Sequence, residues 1–403
     1  MRNQSLLLLL GIASTLPGCA TPAPQVDVPA QSQIERALDE RYRQLTPERE
    51  DKILALDPEH VTEQDLREVL SNAPAPRIIM IQGGLLPLQV AMKSFSKFII
   101  GLGYPEWCVR NPSDGAYSYS SFRSTSKIAG LIAGYYEKDG LRPMLLGHSL
   151  GGMQAIKALQ KLAGESSPPE VWNPLTQKPE ARHTIRDPLT GQTRATTNLQ
   201  VCYACTLASG GLGRIIPHQW NNFNLRKIPD SVEEFTGFSI RLDVFGGDYL
   251  GFGPVNLFHA TGTARVRNVR LRTGANHWTV PITEDLLQNQ MDMDWINNYS
   301  PDNPPSSDPA YNDNVHILWA ADVWHSIKRH WVIELQNYIR ARRNHAFYQM
   351  PMNAGRIGLP VLAWERWRPA GESPSQAAPP AGETPALPGY PPNSTFPQSL
   401  LVL

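Results

Sequence analysis

The stretch Met144-Leu145-Leu146-Gly147-His148-Ser149-Leu150-Gly151-Gly152 constrains this chain more than any other. Its three leading apolar residues read as a short buried strand. Beyond the glycines, Ala155, Ile156, Leu159, Leu162 and Ala163 recur at helical spacing, and Gly164 stands where a C-terminal cap is expected. The order is therefore strand, Gly-x-Ser-x-Gly, helix. A serine on so tight a turn is forced into a strained backbone that only small neighbours tolerate, hence the glycines at 147 and 151. The turn lifts the hydroxyl above the sheet and sets it at a helix N-terminus, where N–H groups without helical partners can bind a developing negative charge.

Gly147-His148-Ser149-Leu150-Gly151-Gly152 resembles the nucleophile turn of the α/β-hydrolase superfamily, bacterial lipases and esterases in particular. The resemblance covers about residues 75–280. It implies an α/β-hydrolase fold: a mostly parallel sheet flanked by helices, with loop or cap insertions and a helical C-terminal extension. The chain around the turn has the matching rhythm. Ile78-Ile79-Met80-Ile81 reads as a buried strand, and the helix after it carries Leu88, Ala91, Met92, Phe95, Phe98 and Ile99 on one face, stopped by Gly101. A short strand is expected around Trp107-Cys108-Val109. A helix with Ile128, Leu131, Ile132 and Tyr135 follows, with Gly140 after it. Strands alternating with helices imply βαβ units and a parallel sheet. Later strands are expected at Leu199 to Thr206, Phe238 to Phe245 and Val266 to Leu271.

The hydrolase-like domain is placed at 73–345, with insertions at about 165–196 and 209–238 that lack periodicity. A helical lead spans 31–72, with Thr62-Glu63-Gln64-Asp65 as an N-cap signature, and reads as packing on the outside of the domain. In the C-terminal part, Trp319, Val323, Ile327, Trp331 and Leu335 recur every four residues, a core-facing stripe. Residues 369–403, rich in Pro, Ala, Gly and Ser without period, read as a disordered tail.

Residues 1–18 have Arg2, an apolar core from Leu6 to Ala13 too short to span a bilayer, and Leu16-Pro17-Gly18-Cys19: a signal peptide. A cysteine after a small residue resembles a bacterial lipoprotein site, although Pro17 departs from the usual small residue. That resemblance implies lipidation at Cys19, a tether over 19–30, and sorting to the outer membrane facing the periplasm, with a periplasmic or secreted protein as the alternative. Cys108, Cys202 and Cys205 read as buried thiols. Cys202 and Cys205 lie within one expected strand, unlike a redox or zinc pair.

The charge is balanced at 37 basic and 37 acidic residues, which leaves no nucleic-acid groove to argue for. No metal-ligand spacing and no phosphate-cradling loop occurs, so neither a metal nor a cofactor is expected. A serine hydroxyl needs a base and a group that orients the base. Among ten histidines, His277 follows a late strand-like run in a loop of small residues. Asp248 lies after two glycines at an expected strand end and is the favoured acid. Asp243 is read as inside that strand, and Asp230, Glu233 and Glu234 are further alternatives. By the resemblance, the oxyanion is held by the N–H groups of Leu150 and Gly84. Gly84 belongs to Gln82-Gly83-Gly84-Leu85, where Gln82 replaces the family's histidine and Leu85 is the alternative donor. The expected activity is hydrolysis of a small-molecule or lipid carboxylic ester through an acyl-enzyme. An acyltransferase and a catalytically silent binding lipoprotein are the alternatives. The oligomeric state is open.

Overall fold

The computed structural model describes residues 41–42, 44–209, 224–248, 257–271, 274–305 and 316–349. The signal peptide, Cys19, the tether, part of the second insertion (with Trp220 and Phe223) and the tail lie outside the described residues.

Five strands form one parallel sheet: β1 (Ile78–Ile81), β2 (Met144–His148), β3 (Val201–Leu207), β4 (Val232–Ile240) and β5 (Arg265–Leu271). Their order across the sheet is their order in the chain. The register pairs Ile79 with Leu145, Leu146 with Cys205, Thr206 with Gly237 and Phe238 with Val269. Parallel neighbours need long crossovers, so every strand ends at the same edge of the sheet. That edge collects the loops that matter.

Alternating side chains serve two faces, as the twofold strand period requires. Ile78, Met80, Met144 and Leu146 pack in one core with α2 (Leu86–Gly101). Ile79, Ile81 and Leu145 pack in the other with α3 (Thr125–Asp139) and α4 (Leu150–Leu162). The apolar positions read from the sequence on α2 and α3 are the buried ones, and Gly140 closes α3 in a left-handed conformation, φ 69°. Gly164, also at positive φ, follows the cap of α4.

Three expectations change. Residues 106–109 form a helical turn, and the extra parallel pairing is a single bridge between Ile81 and Tyr119. The segment 165–196 contains an antiparallel ribbon, Thr184–Arg186 with Thr193–Ala195, docked on α3. Its Trp172 lies under Lys127, whose Nζ is 4.4 Å from the ring centroid, and Gly130 leaves room for that approach. The third change concerns β4. It runs from Val232 to Ile240, so it starts and stops well before the Phe238 to Phe245 strand expected from sequence. Its first half was hidden by Glu233 and Glu234, which look like loop residues. In the fold they are paired, Glu233 with Arg142 at 2.6 Å and Glu234 with Arg329 at 2.9 Å.

The C-terminal helix α6, described over Ile317–Gln349 after the shorter α5 (Gln290–Asn297), is a layer of the core. Trp319, Val323, Ile327, Trp331 and Leu335 are all buried. The lead packs on α6 and shares its core. Its helix α1 (Pro47–Ala55) offers the Ile53 carbonyl to Gln336 at 3.1 Å, Val61 offers its own to Lys328 at 2.8 Å, and the Pro74 carbonyl takes the Trp331 indole N–H at 2.7 Å. The capping box at Thr62 and Asp65 is formed.

Burial by itself pushes the Glu234 carboxyl up. The surrounding His330, Arg329 and Arg265 outweigh that and hold it at about 2. A depressed folded value means that the stabilisation is complete above the ordinary carboxylate range and is lost as pH falls toward 2. Urea unfolding from pH 6 down to pH 3 should show an acid loss of which on the order of 2 kcal/mol belongs to Glu234. Glu234→Gln should be less stable at pH 6 and flatter through that window. An unchanged slope in the variant would contradict this assignment.

Candidate active site

At the junction of β2 and α4, Ser149 has φ 54° and ψ −123°, outside the regions open to ordinary side chains. Each glycine around it has a specific reason. A Cβ at Gly147 would lie 2.5 Å from Gly152 Cα, and one at Gly152 would lie 1.8 Å from Ser209 Oγ. At Gly151 a Cβ would meet the Ile81 and Gln82 carbonyl oxygens at 2.2 and 2.6 Å. The turn thus sits directly on the end of β1. The Ser149 N–H donates to the Leu207 carbonyl of β3 at 2.9 Å, which fixes the strained residue from the other side.

The structure brings Ser149 and His277 together: Ser149 Oγ lies 2.9 Å from His277 Nε2. The other ring nitrogen, Nδ1, lies 2.7 Å from Asp243 Oδ2. His277 and Asp243 are buried, whereas Ser149 is partly exposed and reachable. Asp248, the carboxylate favoured from sequence, is not brought to His277. Its Oδ2 accepts the Leu242 N–H at 3.1 Å and Arg270 Nη2 at 3.2 Å. The physical reason is the early end of β4. Asp243 falls three residues beyond the strand, in the loop at the sheet's C-terminal edge, rather than inside it. The other carboxylates weighed also work elsewhere. Asp230 accepts the N–H groups of Thr263 and Ala264, and Glu233 and Glu234 hold arginines. Gly246 leaves room for this carboxylate, because a Cβ there would stand 2.4 Å from Asp243 Oδ2.

The structure places Gly84 beside Leu150. A Cβ at Gly84 would lie 3.2 Å from Leu150 Cδ2 and 3.6 Å from Phe122 Cζ. Leu150 is the first residue of α4, so its N–H has no carbonyl within the helix to bond. Gln82 is held by the Ser118 hydroxyl, which donates to its Oε1 at 2.7 Å. Sequence reasoning did not find the aromatic wall on the other side. Phe245 and Trp278 stand with ring centroids 5.6 and 5.5 Å from that of His277. His148 lies beneath, its centroid 5.0 Å from that of His277. Burial and the neighbouring His277 push His148 down to about 3, so it stays neutral at ordinary pH.

His259, His316 and the three described cysteines do not join the site. His259 is in a short bridge with Lys227, and His316 lies 3.5 Å from Asp285. Cys108, Cys202 and Cys205 are buried thiols without a disulfide, and burial raises all three thiols. No group of three or more His, Cys, Asp or Glu among the described residues is arranged to hold a metal ion. Nor is any described helix long and apolar enough to cross a membrane.

The fold and the site define an α/β protein with a five-stranded parallel sheet whose C-terminal edge carries a Ser–His–Asp hydrogen-bonded chain. The chain matches no protein-family model, and no curated protein matches it.

The close approach of Gly151 to β1 can be tested alone. Its would-be contacts are backbone oxygens, which cannot rotate away. Gly151→Ala should therefore destabilise by about 1–3 kcal/mol, the usual range for overpacking, or prevent folding. Urea unfolding of the purified variant measures this, and an unchanged midpoint would contradict the geometry.

Proposed function

We propose that this chain is a serine hydrolase of carboxylic esters built on an α/β-hydrolase fold, and that Ser149, His277 and Asp243 are its triad. The observation that carries the reading is the continuous chain from Ser149 Oγ through both nitrogens of His277 to Asp243, at 2.9 and 2.7 Å. Three facts add support. Acid and base follow β4 and β5 in the chain order of that superfamily, the serine has the strained backbone of its turn, and Gly84 sits beside Leu150.

In this mechanism Ser149 Oγ attacks the ester carbonyl while His277 Nε2 takes its proton. Asp243 accepts from Nδ1–H, fixes the tautomer and stabilises the imidazolium that forms. The N–H groups of Leu150 and Gly84 bind the oxyanion. Collapse breaks the ester C–O bond, and the leaving alcohol takes the proton from His277. Water, deprotonated by His277, then attacks the acyl-enzyme and releases the acid, which restores Ser149.

The ester carries a substantial apolar acyl group. Of the aromatics in the two insertions, Trp172 packs on α3 and Phe235 is buried in β4, while Trp220 and Phe223 lie outside the described residues. Exposed apolar side chains instead border the site. Leu85 and Leu86 follow Gly84, Phe122 stands beside it at 74% exposure, and Phe245 leans on His277. Large exposed apolar residues grouped at one place are the informative exception on a protein surface. Attachment to an outer membrane through Cys19, proposed from the sequence motif, would hold this rim near amphipathic esters.

Steady-state hydrolysis of p-nitrophenyl butyrate tests the reaction. Wild type should turn over, Ser149→Ala should be inactive, and Asp243→Asn should lose about four orders of magnitude in kcat. A Ser149→Ala protein as active as wild type would overturn the assignment. On esters of two to twelve carbons, kcat/KM should rise toward the longer chains, by at most about 0.8 kcal/mol per methylene. Activity confined to acetate would contradict the apolar acyl group.

A further inference from the structure

Asp243 does its work from a loop, and something must hold that loop to within a fraction of an ångström. Three hydrogen bonds among the described residues help to close it. The Asp243 N–H donates to the Ile240 carbonyl at 3.3 Å, and the Asp248 N–H donates to the Asp243 carbonyl at 2.9 Å. The Asp248 carboxylate in turn accepts the Leu242 N–H at 3.1 Å. Leu242 stands at φ 60°, a left-handed conformation that costs a branched side chain energy and therefore needs outside support. Asp248 supplies that support from a buried position, at 2% exposure, where an ionised carboxylate requires a partner. One partner is Arg270, 3.2 Å away on β5, the strand that leads to His277.

We propose that Asp248 and Arg270 form a clasp that sets the position of Asp243 against His277, with Asp248 a positioning residue of the triad. This rests on the triad reading above. The topology gives the clasp its purpose. Asp243 leaves from β4 and His277 from β5, and their own contact is one 2.7 Å hydrogen bond. The Asp248–Arg270 pair is a second tie between the same two segments, made away from the reacting atoms. It fixes the acid relative to the base before substrate arrives. A neutral acceptor could satisfy the Leu242 N–H. The Asp248 oxygen that accepts the Leu242 N–H also accepts from Arg270 Nη2, and this shared acceptor, which an amide oxygen can replace, adds the tie to β5.

The test uses a signal that does not depend on turnover, the downfield proton resonance of the His277 Nδ1–H held against Asp243. In wild type this proton should be visible. In Asp248→Ala it should broaden or vanish, and kcat on p-nitrophenyl butyrate should fall about tenfold to a hundredfold, the scale of a misplaced catalytic group, with KM within twofold. Asp248→Asn keeps an acceptor for the Leu242 N–H and should restore the resonance and most of kcat. If alanine leaves the protein unfolded, Asp248→Leu fills a similar volume without an acceptor and carries the same expectation. A sharp, unshifted resonance and wild-type kcat in a folded Asp248→Ala or Asp248→Leu protein would overturn the clasp. Equal losses in Asp248→Ala and Asp248→Asn would overturn it too, by making charge rather than hydrogen-bond geometry decisive. Should wild type hydrolyse no ester, the functional reading fails, while the resonance still decides whether the clasp positions Asp243.

Discussion

The backbone of Ser149 is held where an unconstrained residue would not stay, and much of the sheet is arranged around that fact. A non-glycine residue in such a conformation costs on the order of 1–3 kcal/mol and persists when its surroundings over-determine it. Here the surroundings are specific. β3 takes the Ser149 N–H through Leu207, and the end of β1 presses against Gly151. The first turn of α4 closes on the Ser149 carbonyl through the Gly152 N–H at 3.0 Å. Adjacent parallel strands on both sides of β2 are what make this possible, because only then do both neighbours end beside the turn.

The same sheet solves a second problem, which is how to bury charge. β5 lies at the sheet's edge, next to β4, and carries Arg265, Arg267 and Arg270. Each meets a carboxylate that is nearly inaccessible: Glu234, Asp322 and Asp248. Charged side chains on an edge strand discourage pairing with another chain. These three also lock β5 to β4, to α6 and to the loop that holds Asp243. Breaking one partner of such a pair leaves an uncompensated charge, so each pair fixes an arrangement that is costly to disturb. The helix α6 thus holds the strand from which His277 departs.

The parts of this arrangement governed by local rules were legible in the sequence. Stripes at helical spacing placed α2, α3 and the Trp319-to-Leu335 face, and Thr62 with Asp65 announced a helix start. The small residues around Ser149 announced the turn, and His277 stood out by its place after a late strand. What was not legible depended on contacts between distant residues. Glu233 and Glu234 disguised the first half of β4, because Arg142 and Arg329, which neutralise them, lie about 90 residues away in the chain. Moving the strand by six residues at its start shifted its end as well. Asp243 then passed from strand interior to loop, and Asp248 from acid to support. The aromatic wall of Phe245 and Trp278 was invisible for a similar reason, since two loops had to be placed before their rings could be seen to meet His277.

The central claim is that Ser149 is a nucleophile activated by His277, and covalent capture tests it most directly. The chain would be incubated with a fluorophosphonate, digested, and its peptides mapped by mass spectrometry. An adduct on Ser149 that forms in wild type, slows by orders of magnitude in Asp243→Asn and is absent in Ser149→Ala is the expected result. An adduct on another residue, or none on a folded wild-type protein, would contradict the account.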